Sequence, residues 1–316
     1  MFLAHPLGYL GKISYSNDIG GNVREKIEYA LVKLLLGIAK VLPRRSLYSL
    51  VKALTLLVYR LDSKRRMLTV RNLAMAFPQK TKEEIESLSK EIYVELSKTI
   101  TEILLMFIGK FDIDEAVINR EEAEEKLAAI AGNSLNGVIV VTAHFSNWEL
   151  AAHFLAKHGL PMLAIGRKGN NRLIDTEITI PFRNKYGNKA TSKGNAMIAM
   201  AKRLRNGEAV GLLIDQKAGD QNSAKVDFFG TPAETTLSVA MLKLKFDPLV
   251  VPVFIAREED GRYRMIINDP IAYTAEEIED KEEKMKAMTA KYTEAIETVV
   301  RAYPSQWFWM HNRWRR

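Results

Sequence analysis

A chain of 316 residues with 47% hydrophobic content is long enough to bury a full core, which excludes a largely disordered protein. It contains no cysteine, so disulfide scaffolds, thiolate metal sites and cysteine nucleophiles are all excluded. The net charge of +8 is concentrated in the first 80 residues, where 14 Lys and Arg stand against 4 Asp and Glu, leaving the remainder at −2.

A basic N-terminal segment can meet nucleic acid, anionic lipid or an acidic protein, and the apolar residues between the charges decide which. The first 25 residues carry Gly8, Gly11, Gly20 and Gly21 and no continuous apolar run, so a secretory leader is not expected and cytoplasmic-side residence is. From Ile27 to Leu42 apolar residues recur at helical spacing (Ile27, Leu31, Leu34, Leu35, Ile38, Val41, Leu42), with Lys26, Lys33 and Lys40 on another face. After Pro43, with Ser46 as the expected N-cap, the pattern resumes at Leu47, Leu50, Val51, Leu54, Leu57, Val58 and Leu61, and Lys64, Arg65 and Arg66 follow. Neither segment has the ~18 uncharged apolar residues of a spanning helix. Residues 1–66 therefore read as a basic amphipathic helical region lying against an anionic membrane surface. The alternative is a pair of ordinary core-packing helices.

Residues 67–316 read as one α/β domain. Thr81-Lys82-Glu83-Glu84 is a capping box ahead of a long helix over 82–108, and the charged, alanine-rich 112–132 is also expected to be helical. Val138 to Thr142 is then a short apolar run bounded by turn formers, as a strand buried on both faces requires. Similar runs recur at 162–165, 209–214, 249–255 and 262–267, with helical stretches near 147–158, 193–205, 235–246 and 276–302. This alternation gives a central sheet layered with helices. The turn Glu258-Glu259-Asp260-Gly261 makes its last two strands a hairpin, so the sheet is mixed.

The best candidate site lies at the end of the first buried strand, in Ala143-His144-Phe145-Ser146-Asn147-Trp148-Glu149. Ligands of open α/β sheets sit at the carboxyl ends of strands. Glu149, in the first turns of the next helix, is placed to accept a bond from one ring nitrogen of His144, leaving the other to act as a base on a substrate hydroxyl. His153 and His158 read as partly exposed surface or cap residues. Asp215-Gln216, at the end of the 209–214 strand, occupies the same topological position as His144. Arg167 with Asn171, and Arg183 with Tyr186-Gly187, form basic segments suited to a phosphorylated substrate or a tetrahedral oxyanion, or to nothing more than solvated loops. Trp307, Trp309 and Trp314, interleaved with arginines, suit either a membrane interface or a terminus packed onto the domain. There is no Walker loop, Rossmann glycine fingerprint or zinc helix, and Gly132 to Gly137 misses the nucleophile-elbow pattern by one residue. No cofactor or metal is expected.

Together these segments resemble the lipid A biosynthesis acyltransferases, the lauroyl- and myristoyltransferase type within the lysophospholipid acyltransferase superfamily. The residues that carry the resemblance are His144-Phe145-Ser146-Asn147-Trp148-Glu149, Arg71-Asn72-Leu73 with Ala76-Phe77-Pro78, Arg167 with Asn171, Arg183 before Tyr186-Gly187, Asp215-Gln216, Phe228 to Pro232, and Gln306 to Arg313. Ser146 stands where the family often has glycine, and Asn312 where it commonly has a basic residue. The resemblance implies a glycerolipid acyltransferase-like sheet, His144 as general base, Glu149 as its orienting acid, Arg183 at the oxyanion or substrate and Asp215 supporting the site. It further implies an enzyme on the cytoplasmic face of the inner membrane, peripheral or monotopic. Its donor would be acyl carrier protein or acyl-coenzyme A, and its acceptor a hydroxyl of a membrane lipid, a lipid A precursor foremost. The same chemistry on another glycolipid or a lysophospholipid is the alternative, and a non-catalytic membrane-binding protein is the third; nucleic acid is not an expected partner.

Overall fold

The computed structural model describes residues 19–166, 169–192, 196–219 and 222–314. Four helices come first: α1 (Ile19–Val41), α2 (Arg44–Leu61), α3 (Ser63–Ala76) and α4 (Lys82–Phe107). The Thr81–Glu84 capping box is formed in both directions at the head of α4, Thr81 N–H donating to Glu84 at 2.7 Å and Glu84 N–H to Thr81 Oγ1 at 3.2 Å. The break before α3 was not foreseen; Asp62 makes it by accepting from the Arg65 N–H at 2.9 Å as N-cap. The expected N-cap of α2 at Ser46 lies three residues late, because Pro43 takes that position and its fixed φ ends the turn from α1.

The sheet follows, built from β1 (Val138–Thr142), β2 (Met162–Gly166), β3 (Lys189–Ser192), β4 (Ala209–Leu213), β7 (Leu249–Arg257) and β8 (Tyr263–Ile267) in the order β3-β2-β4-β1-β7-β8. All neighbours are parallel except β8, which returns antiparallel to β7 and makes the sheet mixed. Side chains alternate across it. Ile139 and Val141 face one apolar cluster with α10 (Ala196–Arg205), α11 (Ser238–Phe246) and α12 (Lys281–Ala302). Val138 and Val140 face another with α6 (Arg120–Gly132) and α7 (Trp148–Lys157). Between α4 and α6 lies the single turn α5 (Ile113–Ala116), and the short helices α8 (Arg172–Ile174) and α9 (Ile180–Arg183) join β2 to β3.

A separate hairpin, β5 (Ser223–Phe228) and β6 (Thr231–Thr236), was not expected, and it takes the first two residues assigned to a helix over 235–246. Its two-residue turn has both Phe229 and Gly230 at positive φ, the backbone that matches strand twist; glycine adopts it freely, and Phe229 is held there by donating its N–H to Glu297 at 2.7 Å.

Helices α1 and α2 present two apolar faces. Inward, Ala39, Leu47 and Val51 share a cluster with Leu104 and Leu105 of α4. Outward, Ile27, Leu31, Leu34, Leu54, Leu57 and Leu61 stay exposed. Among the described residues no helix is long and apolar enough to cross a membrane.

Candidate active site

Strands β1 and β4 are neighbours, with Thr142 registered on Leu213. Two residues beyond each register partner stand His144 and Asp215, so the sheet itself brings imidazole and carboxylate to one rim. Asp215 is 1% exposed. One of its oxygens meets His144 Nδ1 at 2.9 Å, while the other accepts the His144 backbone N–H at 3.0 Å and the Trp307 indole N–H at 2.9 Å. Burial opposes the Asp215 charge, but His144 and these donors more than offset it, holding the carboxyl below its usual range. Among the described residues Nε2 of His144 has no hydrogen-bond partner. That nitrogen belongs to a half-buried ring edge-on to Trp148, in a pocket shared with Ile92, Leu96 and Met310.

Glu149 does not supply the bond to His144 expected of it. Its carboxylate is committed to Arg183, whose Nε donates at 3.0 and 3.2 Å and whose Nη2 closes a second, tight contact. Burial works against the Glu149 charge and the Arg183 guanidinium outweighs it, so the carboxyl is held low; Glu149 in turn raises Arg183. The physical reason is local. Glu149 sits in the first turn of α7, and α9 delivers Arg183 to it. His153, one turn further along α7, is 1% exposed rather than a surface residue, and its two ring nitrogens face the carbonyls of Glu149 (2.6 Å) and Phe182 (2.9 Å). It therefore clamps α7 to the segment that carries Arg183. His158 is also half-buried and engaged, lying 3.0 Å from both Asp114 and Glu124.

Of the other expected site residues, Arg167 lies outside the described residues. Asn171 is a joint of the fold rather than a free ligand: its Oδ1 accepts from the Ile174 N–H at 3.1 Å, and its amide donates to the Glu25 carbonyl (2.8 Å) and to Glu28 (3.0 Å) of α1. With one acceptor and both donors used, little capacity remains for substrate. Gln216 contributes its backbone carbonyl, which accepts from Arg313 at 3.5 Å.

The C-terminal segment completes the rim, which the residue pattern left open. Trp307, Trp309 and Trp314 are all buried, so their rings pack the terminus onto the domain and none meets a membrane interface. Ser146 N–H donates to the Gln306 carbonyl at 2.7 Å and Phe308 N–H to that of His144 at 3.0 Å, making a short bridge across the His144 loop. Asn72 of α3 holds this segment by donating to the carbonyls of Trp309 and His311, both at 2.9 Å, which accounts for the Arg71-Asn72-Leu73 motif. His311 Nε2 accepts the Lys217 N–H at 3.0 Å; burial pushes its ring down to about 4, with Asp215 opposing and His144 adding to the fall. Arg313, 1% exposed, is lowered to about 10 by burial.

A second buried network was also unforeseen. Arg257 of β7 grips Glu102 of α4 through Nη1 (2.6 Å) and Nη2 (2.8 Å), and Tyr263 donates to the same carboxylate. Asn147 reaches it at 3.5 Å while its Oδ1 caps α7 through the Leu150 N–H at 3.1 Å, tying the loop that follows His144 to the helical layer. No sequence spacing connects residues 102, 147, 257 and 263.

The family model for bacterial lipid A biosynthesis acyltransferase matches residues 22–316. Similar curated proteins include a lipid A biosynthesis acyltransferase of Haemophilus influenzae, 25% identical over 81% of this chain and 79% of its own length. The lipid A biosynthesis palmitoleoyltransferase of Escherichia coli K12 is 25% identical, covering 80% and 79%. The lauroyltransferase of the same organism is 24% identical, covering 87% of each. The chain belongs to the bacterial lipid A biosynthesis acyltransferase family and is an acyltransferase.

Proposed function

From that membership we propose that this chain moves a fatty acyl group from a thioester of acyl carrier protein or coenzyme A to a hydroxyl of a lipid A precursor, with His144 as general base. The observation that carries the reading is the asymmetry of the imidazole. Nδ1 is committed to a buried aspartate while Nε2 has no hydrogen-bond partner among the described residues. A base of this kind takes the acceptor hydroxyl proton at Nε2 as the oxygen attacks the thioester carbonyl; when the carbon–sulfur bond breaks, the same nitrogen returns the proton to the leaving thiolate. Asp215 fixes the tautomer and stabilises the imidazolium, the part first given to Glu149.

Arg183 is proposed as the cation of the site. With Nε and Nη2 bound to Glu149, its Nη1 protons remain for an oxyanion or a donor phosphate, and Glu149 keeps the fork oriented. Residues 1–66 are proposed to seat the enzyme on the anionic cytoplasmic face of the inner membrane without spanning it, a reading supported by the outward leucines of α1 and α2 beside Lys26, Lys33 and Lys40.

The test is acyl transfer by the purified full chain from a panel of acyl carrier protein and coenzyme A thioesters to lipid A precursor, another glycolipid and a lysophospholipid. Transfer to the lipid A precursor that disappears in His144→Ala is expected. Full transfer by folded His144→Ala would overturn the site, and transfer to another acceptor alone would overturn the substrate.

A further inference from the structure

Two residues beyond His144, the backbone of Ser146 takes a φ of +49°, in the left-handed region that glycine enters freely and other residues avoid. The loop around it is tightly tied. The Phe145 N–H turns back to the Ala143 carbonyl at 2.8 Å, the Ser146 N–H donates to the Gln306 carbonyl at 2.7 Å, and Asn147 caps α7 through the Leu150 N–H. None of these bonds uses the Ser146 side chain. The residue is 6% exposed, and its Oγ is shut off from solvent without a hydrogen-bond partner among the described residues. A strained backbone and an unpaired buried hydroxyl both cost stability, and glycine at this position would incur neither. Costs of this kind persist where a site needs the group.

The surroundings narrow what the hydroxyl is for. Ser146 and His144 line one pocket, walled by Ile92, Leu96, Trp148, Phe308 and Met310. Its free space is about 20 Å³, little more than the roughly 10–15 Å³ that a single water needs. That space admits one oxygen atom of a reacting group and excludes an acyl chain. Two other polar side chains on the wall are already engaged. Glu95 is bound by Lys98 at 2.5 Å and Arg257 at 3.3 Å, and Gln306 spends both ends of its amide on the Arg257 backbone at 2.8 Å. The Ser146 hydroxyl has one proton to donate. In apolar surroundings such a donor acts most strongly on an oxygen where negative charge develops.

We propose that Ser146 is a further catalytic residue, whose hydroxyl donates to the oxyanion formed during acyl transfer. The proposal rests on His144 being the base. As the acceptor oxygen bonds to the thioester carbon, its proton passes to His144 Nε2 and the carbonyl π pair moves onto the carbonyl oxygen. Ser146 Oγ–H donates to that oxygen. When the pair returns, the carbon–sulfur bond breaks and Nε2 gives its proton to the leaving thiolate. Ser146 keeps its own proton throughout, and no covalent bond to it forms. Its partner exists only while the substrate reacts, which accounts for an Oγ left unpaired in the free enzyme.

The experiment compares the purified full chain with Ser146→Gly, which removes hydroxyl and strain together, and Ser146→Ala, which removes the hydroxyl alone. Both are expected to lower kcat by about 10²-fold, the lower end of the loss for one oxyanion donor, with acceptor and donor KM changed less than threefold. The urea midpoint of Ser146→Gly is expected to rise above wild type while its activity falls. A kcat within threefold of wild type in both variants overturns the proposal, and so does a loss confined to KM. A lowered midpoint in Ser146→Gly would make the hydroxyl structural, and an acyl ester found on Ser146 by mass spectrometry would make it a nucleophile; either result also overturns it. His144→Ala separates the two readings. An active His144→Ala sinks the base assignment, whereas an inactive one beside a fully active Ser146→Gly sinks the Ser146 proposal alone.

Discussion

The rim of the sheet and the two N-terminal helices use their residues in opposite directions. At the rim, ionisable side chains are buried and specifically paired: His144 with Asp215, Glu149 with Arg183, Arg257 with Glu102. Along α1 and α2, apolar side chains are exposed while their opposite faces already pack on α4. Burying charge costs free energy that only close partners offset, and exposing leucines forgoes burial that folding could have used. The two departures together point to a fold arranged around a reaction at one place and a surface contact at another.

The largest expected effect lies at the rim. His144→Ala is expected to lower acyl transfer by roughly 10²–10⁴-fold, the usual worth of a general base, with circular dichroism unchanged. Activity within tenfold of wild type would end the comparison there. Next, Glu102→Ala leaves Arg257 buried without its carboxylate and should destabilise the protein by about 3–5 kcal/mol in urea unfolding. A loss below about 1 kcal/mol would show that the network is ornamental.

For the other region, Leu31, Leu54 and Leu57 replaced together by serine should leave the unfolding midpoint nearly unchanged, exposed positions costing within about 0.5 kcal/mol each. The same variant should weaken binding to phosphatidylglycerol-containing vesicles by roughly 10²-fold. A large loss of stability with intact vesicle binding would make these faces structural.

The smallest effect is in the pH dependence of stability. Asp215 and Glu149 titrate below their ordinary 3.8 and 4.5 when folded, so the stability they contribute is complete above those values and is lost as pH falls through the lower folded ones. His311 moves from 6.5 to about 4 on folding, so the unfolded chain already takes up its proton across that window and stability declines with it. His311→Gln should flatten the urea midpoint between pH 6.5 and 4.5 and leave the fall below 4.5.

Legibility in the sequence followed the range of the interaction. The β1, β4 and β7 runs were plain because strands buried on both faces are continuous and apolar, β2 because it is apolar throughout, β8 because it follows β7 across a tight polar turn, and the Thr81–Glu84 box because it is local. β3 and the β5–β6 hairpin were hidden: Lys189 to Ser192 is a short edge strand, and Ser223 to Thr236 is polar on one face. His144 was found from its strand end, and Asp215 by the same rule. The choice between Asp215 and Glu149 was not legible, because it depends on β4 lying beside β1 and on α9 carrying Arg183 to α7. Trp307 and Arg257 reach their partners across 92 and 155 residues, beyond any spacing pattern.

That choice is also the most direct point of attack. Histidine-selective ¹⁵N NMR of the full chain reads the tautomer of the His144 ring in wild type, Asp215→Asn and Glu149→Gln. A proton fixed on Nδ1 in wild type and in Glu149→Gln, and released to a mixture of tautomers in Asp215→Asn, is expected. The reverse, with Glu149→Gln freeing the ring and Asp215→Asn leaving it fixed, would contradict the assignment of Asp215 as the residue that holds the base.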